Sequence, residues 1–200
     1  MAVLFFTCLL IVIVNLTWWL FYAKTEVSFE EQLSRRLGSL VTLGASGFDT
    51  ETVSALANGY LIAYEKALDK IEQIKAADSL SEVFILDADY NYLVTTSPEE
   101  DSIYYLISLN REAIDSVFFN IENNYFSSVS ASYLTDDFIL KSAFAPLYDS
   151  SGHVILVLGI EADVDYADDL LSLRRSLYIS TVVSVGIGLL FGIIFFLIQK

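Results

Sequence analysis

Cysteine, histidine and proline are nearly missing from this 200-residue chain, and each scarcity closes a route. Cys8 is the only cysteine, so no disulfide forms within the chain and stability has to come from packing. His153 is the only histidine; it sits at a turn beside Gly152 and reads as an exposed turn residue rather than a general base. No nucleophile elbow and no phosphate-cradling glycine loop occurs, so the chain is read as a non-enzyme. Cations are also scarce: 11 Lys and Arg stand against 26 Asp and Glu, a formal net charge of −15. A nucleic-acid surface needs clustered Lys and Arg, which excludes that class of partner.

Two long uncharged apolar runs, 1–23 and 177–198, enclose every acidic residue in the chain. A hydrocarbon core of ~30 Å takes about 20 helical residues to cross, so both runs are predicted to span a lipid bilayer. Trp18, Trp19 and Tyr22 crowd the domain-side end of the first run, where amphipathic rings favour the membrane interface. That run lacks a basic leader, and Phe21-Tyr22-Ala23 puts a bulky residue where a signal-peptide cleavage site needs a small one. Phe6-Thr7-Cys8 likewise fails as a lipidation box, so the run is read as an uncleaved anchor. Lys24, Arg174 and Arg175 flank the spans on the domain side and Lys200 on the other, a count that does not favour export but has little force for a long domain. The predicted organisation is a span over 1–23, one acidic domain over 24–176, a span over 177–198 and a cytoplasmic stub at 199–200.

Phe29, Leu33, Leu37, Leu40 and Val41 recur at spacings of three and four, which predicts a helix leaving the membrane and ending at Gly44 and Gly47. Asp49 or Thr50 caps a second helix whose apolar stripe, Val53 through Ile74, is predicted to run unbroken to Asp78. The period then shortens. Glu82 to Leu86, the turn Asp87-Ala88-Asp89 and Tyr92 to Thr96 form a hairpin, followed by a helix from Pro98–Asp101 to Phe118. Three strands are predicted over 125–133, 138–147 and 153–161, the last two joined by Asp149-Ser150-Ser151-Gly152. A last helix starts near Val164 and meets neither proline nor glycine until Gly186, so it continues into the second span. The fold class is α+β, an antiparallel sheet with long N-terminal helices between two transmembrane helices.

Two acidic groups resemble metal sites at first sight. Asp87, Asp89 and Asn91 occupy calcium-loop positions, but Tyr92 stands where the loop needs glycine and Pro98 where it needs a bidentate Glu, so a hairpin turn is the reading. Glu161, Asp163, Asp165, Asp168 and Asp169 cross a strand end and a helix start, where carboxylates cap amides and offset the helix dipole. No metal and no cofactor is predicted.

The stretch from Ser142 through Pro146 and Gly152, then Val154 through Gly159 to Ala162, resembles the final hairpin of single-Cache, PAS-like extracytoplasmic sensor domains. Gly47-Phe48-Asp49-Thr50-Glu51 with the Tyr-containing helix after it resembles their first half. Such domains precede histidine kinase, diguanylate cyclase and adenylate cyclase modules. The resemblance implies a small-molecule site on the concave face of the sheet and its covering helix, with Tyr104, Tyr105, Arg111, Tyr133, Lys141, Phe144 and Glu161 as candidates. Lys141 stands out as the only cation on the last three strands, suited to an anionic ligand group. The arginine, tryptophan and tyrosine signature of amino-acid-sensing double-Cache domains is absent.

Ser184, Gly188 and Gly192 recur every four residues on one face of the second span, a spacing that lets helix backbones approach in lipid and predicts a parallel homodimer. The expected function is a membrane-bound input module of a two-component or cyclase signalling system that relays an extracytoplasmic signal through the second span. The alternative is a self-contained two-span adaptor or assembly subunit without a ligand.

Overall fold

A computed structural model of the chain describes residues 2–78, 80–97, 101–119, 127–134, 139–164 and 166–198; the side chains of 2–4, 6–8, 10, 101–107, 166–169, 195, 196 and 198 lie outside the described set. Two compact units emerge, one over Gln32–Val164 and the other combining Met1–Glu31 with Asp165–Lys200.

In the first unit, the end of helix α1 (Ala2–Ser46) buries Leu37, Val41 and Ala45, a single stripe at helical spacing of four. The Asp49 side chain caps α2 (Thr50–Ala57), its Oδ1 accepting from the Thr52 N–H at 2.7 Å. Here the structure departs from the unbroken helix predicted over 50–78. The chain leaves α2 at Asn58 and re-enters helix only at α3 (Leu61–Asp78). Gly59 takes φ +76° and donates to the Leu56 carbonyl at 2.9 Å, while the Tyr60 N–H donates to the Ala55 carbonyl at 3.1 Å. That paired closure is a glycine C-cap, and it wins over an apolar stripe that reads straight through it.

The strands are β1 (Glu82–Asp87), β2 (Tyr92–Thr95), β3 (Ser128–Val129), β4 (Tyr133–Leu134), β5 (Ile139–Tyr148) and β6 (Val154–Asp163). They form one antiparallel sheet in the order β2-β1-β6-β5-β3, with β4 also pairing β5. The strand predicted over 125–133 is two short pieces, β3 and β4, and residues 125 and 126 lie outside the described set. In the first hairpin the Asp87 carboxylate accepts from the Asp89 and Asn91 N–H groups at 2.9 and 2.8 Å, so it serves as turn scaffolding. In the last hairpin Asp149 accepts from the Ser151 and His153 N–H groups at 2.8 and 2.9 Å, and Gly152 supplies φ +83°.

Each face of the sheet carries its own core. Val83, Ile85, Ala143, Ala145, Leu156, Leu158 and Ile160 pack with Leu37, Val41, Val53, Leu56, Ala67 and Ile71 from α1, α2 and α3. Phe84, Leu86, Phe144 and Val157 face the other way and meet Ile114, Val117 and Phe118 of α4 (Asp101–Phe119). The two sets alternate along the strands, as period-two backbone geometry requires. Gly159 lies on the α4 face, where a Cβ would stand 2.2 Å from the Phe84 ring, so only glycine lets that ring lie against β6.

In the second unit, α5 (Tyr166–Ile198) pairs with the start of α1. Leu170–Ile194 is long and apolar enough to cross a membrane, with mean hydropathy 2.2 and none of its most apolar window buried. The Asn15 amide donates to Ser184 Oγ at 3.0 Å, and a Cβ at Gly188 would come within 2.7 Å of Ile11 Cδ1. Two members of the predicted dimer stripe, Ser184 and Gly188, thus pack on α1 of the same chain; Gly192 is half-buried.

Candidate functional site

The α4 face of the sheet changes character at the β1 start and β6 end. Glu82 and Glu161 are direct cross-strand partners between β1 and β6, and Ser142 is the partner of Glu161 on β5. Partners across an antiparallel pair share a face, so Ser142, Glu161 and Glu82 form one polar row across three strands. All three are buried, at 0 %, 5 % and 7 % exposure.

Among the described residues, each carboxylate has one side-chain hydrogen-bond donor. The Tyr133 hydroxyl donates to Glu161 Oε2 at 2.8 Å and shares a 2.6 Å bond with Ser142 Oγ. Thr95 Oγ1 donates to Glu82 Oε1 at 2.5 Å. One donor does not replace the hydration of a buried carboxylate. Burial pushes the Glu161 carboxyl up to about 7, against the lowering effect of the Tyr133 bond, and the nearby Glu82 charge adds to the rise. Glu82 is pushed up as well by burial, opposed by its Thr95 bond and by Lys75. Burial first, then the two glutamate charges, raise the Tyr92 phenol; burial and Glu161 raise that of Tyr133, so both stay neutral.

Two further polar side chains at this row lack partners. Asn110 on α4 is 1 % exposed, and neither its Nδ2 nor its Oδ1 has a hydrogen bond. Its amide N–H is near enough to the Tyr133 hydroxyl to act on that phenol as a weak donor, without reaching full hydrogen-bond geometry. The buried Tyr92 hydroxyl is also without a partner, and its ring packs on Phe84 with centroids 5.0 Å apart. Phe84 in turn meets Phe144 edge to face at 6.2 Å, giving the row an aromatic wall. Buried polar groups are paired in most folded proteins, so unpaired ones gathered at one place set this row apart.

Of the residues expected from sequence, Tyr133, Phe144 and Glu161 come together here. Lys141 does not: it is buried at 2 % exposure, but strand alternation turns it to the face of Ala143 and Ala145, toward α1, α2 and α3. Arg111 is exposed on α4, 3.9 Å from Asp115 and over the Tyr90 ring. The side chains of Tyr104 and Tyr105 lie outside the described residues. Asp163 is exposed, and Asp165, Asp168 and Asp169 fall outside the described residues or have side chains that do. Glu82, Thr95, Tyr92 and Asn110 were not anticipated. Glu82 carried the one available signal, a charge opening an otherwise apolar strand.

No protein-family model and no curated protein matches the sequence. Solved structures do resemble the fold. The sensor domain of the histidine kinase DctB from V. cholerae aligns at TM-score 0.50 with 13% identity, over 77% of this chain and 56% of that one. The DcuS sensor domain from E. coli aligns at TM-score 0.45 with 12% identity, over 72% of this chain and 98% of that one. The sensory domain of the Campylobacter jejuni chemoreceptor Tlp3 aligns at TM-score 0.40 with 14% identity, over 76% and 67%. Of the three, the DctB likeness carries the fold: a mixed helix and antiparallel-sheet domain with a long N-terminal helix, the architecture of that sensor domain.

Proposed function

We propose that the chain is the input module of a membrane-bound signalling protein, in which Gln32–Val164 senses a small molecule. The supporting observation is the buried row Ser142–Glu161–Glu82 with unpartnered Asn110 and Tyr92, set in a fold shared with a histidine kinase sensor domain. A fold alone does not fix a function, so the reading rests on this site. The apolar runs at both ends serve as transmembrane helices that hold the domain outside the cytoplasm, and α5 relays its state to an output domain such as a histidine kinase or cyclase. A homodimer of such modules would meet through a surface other than the Ser184–Gly188 face, which α1 occupies.

The full chain in nanodiscs, screened by thermal shift against a broad metabolite panel of both charge signs, tests the sensing role. A ligand at a hundred times its dissociation constant adds ~2.7 kcal/mol to the stability of the domain it binds. A panel in which nothing moves the melting point would end the reading. Topology is checked separately with Ser151→Cys in a Cys8→Ser background, which a membrane-impermeant thiol reagent should label on intact cells. Labelling only after lysis would place the domain inside.

A further inference from the structure

We infer that the ligand of this site carries a compact organic cation, a primary ammonium or an amidinium, seated between Glu82 and Glu161. The inference rests on the sensing role proposed above and names the class of molecule sensed.

Three features of the site agree on the sign of the charge, and a fourth points to a missing group. The two glutamates are cross-strand neighbours on one face, both buried, each with one hydroxyl donor and with carboxylate lone pairs to spare. No Lys, Arg or His forms an ion pair with either among the described residues. Asn110, 99 parts in a hundred buried, rests its amide N–H loosely against the Tyr133 hydroxyl that bonds Glu161, short of full hydrogen-bond geometry, and its Oδ1 is left without a donor. This orphan is independent of the acidic pair and points to a missing group, since a buried carboxamide oxygen is an acceptor in search of a donor. Finally, the described groups that face the row from the sheet and α4 are Tyr92, Tyr133, Thr95, Ser142 and Asn110, all neutral; Lys75 on α3 acts on Glu82 as a distant charge. An ammonium brings three donors and one positive charge, which suits Glu82, Glu161 and the Asn110 oxygen together. The aromatic wall of Tyr92, Phe84 and Phe144 gives a cation a favourable ring face beside it. A dicarboxylate would meet two like charges in a dry setting, which disfavours it strongly.

The full chain in nanodiscs is titrated at pH 8, above the Glu161 value of about 7, with ethanolamine, putrescine and methylguanidinium in parallel with succinate and calcium chloride. At least one organic cation should raise the melting point of the domain by about 5 °C at saturation. Glu82→Gln and Glu161→Gln, which keep shape and the Thr95 or Tyr133 contact, should each weaken that cation at least tenfold. Asn110→Leu should separate binding from folding: it raises the apo melting point by removing a buried orphan amide, yet weakens the cation. A shift with succinate and none with the cations overturns the ligand class while leaving the sensing role standing. A calcium shift reversed by chelator, with no organic response, overturns it in favour of an inorganic ion. Equal cation affinity in wild type and both Gln variants moves the site elsewhere and also overturns it. Silence across this set combined with silence across the broad panel defeats the sensing role itself.

Discussion

The two faces of the sheet use the same strands for opposite ends. Toward α1, α2 and α3, the inward β5 and β6 residues from Ala143 to Ile160 that join the core are apolar and covered by three helices, with the buried Lys141 beyond them on the same face. Toward α4, the apolar cluster is smaller and gives way to buried Glu82, Glu161, Ser142 and Asn110. Burying a large aliphatic side chain contributes ~1.5 to 3 kcal/mol, whereas a buried carboxylate with one donor costs stability. The three-helix face therefore supplies stability that the α4 face spends in holding polar groups dry. A buried polar row of this kind is possible only because its reverse side is packed so fully.

The contrast can be broken most severely from the packed side. Leu158→Ala, at a position with no exposure in the three-helix core, should cost ~2 to 5 kcal/mol by denaturant titration. Ligand affinity measured below the melting transition should hardly change. A large loss of affinity with little loss of stability would reverse the assignment of the two faces.

Gly159→Ala attacks the α4 face at the close approach of Phe84, and overpacking there should cost ~1 to 3 kcal/mol. Because the clash is with one ring, Phe84→Leu should recover part of the loss in a double-mutant cycle. Simple additivity of the two substitutions would show that the ring is not what the glycine accommodates.

Acidity should sharpen the comparison, since the polar face alone titrates near neutrality. The folded Glu161 carboxyl sits above its unfolded value of 4.5, at about 7, so between these limits the native state holds more protons than the unfolded chain. Stability then falls as pH rises from about 4.5 to 7 and the loss is complete above that range; the raised Glu82 acts in the same direction. Asp49 and Asp149 work in the opposite sense at more acid pH, because hydrogen bonds from Thr52 and from the His153 backbone hold them below 3.8. The melting point of the apo domain should be higher at pH 5.5 than at pH 8, and Glu161→Gln should flatten most of that slope. A slope unchanged by the substitution would refute the assignment.

The smallest effect is expected at the α2–α3 junction. Gly59→Ala puts a Cβ on a residue at φ +76°, costing ~1 to 2 kcal/mol, in open space where no side chain is displaced. Neither face should notice beyond that loss, and ligand affinity should stay at the wild-type value.

Most of the scaffold could be read from residue patterns. Period three and four in 29–41 belongs to the end of α1, Asp49 caps α2, and both hairpins lie where alternating runs meet Asp87 and Gly152. The break at Gly59 escaped because hydrophobic spacing measures which side is buried and is blind to a single positive φ. The site was legible in half. Tyr133, Phe144 and Glu161 share a face, but Lys141 was grouped with them although it is one residue from Ser142, and adjacent strand residues point opposite ways. That Glu82 pairs with Glu161 depends on strand order, which joins β1 to β6 across more than seventy residues of chain, and no local pattern encodes it.

The Asn15–Ser184 contact gives the paired helices of the second unit a mechanical property. In hydrocarbon an interhelical side-chain hydrogen bond contributes ~0.6 to 2 kcal/mol, and there is no water to replace it. At 3.0 Å the bond has little slack, so a slide of about 2 Å between α5 and α1 would take it beyond hydrogen-bonding reach. Smaller movements only stretch it. If both helices span a bilayer as proposed, the pair would behave as a detent, with one engaged register that resists thermal jostling and releases under a pull comparable to a single modest binding energy. Asn15→Leu would leave the helices in place and remove the click.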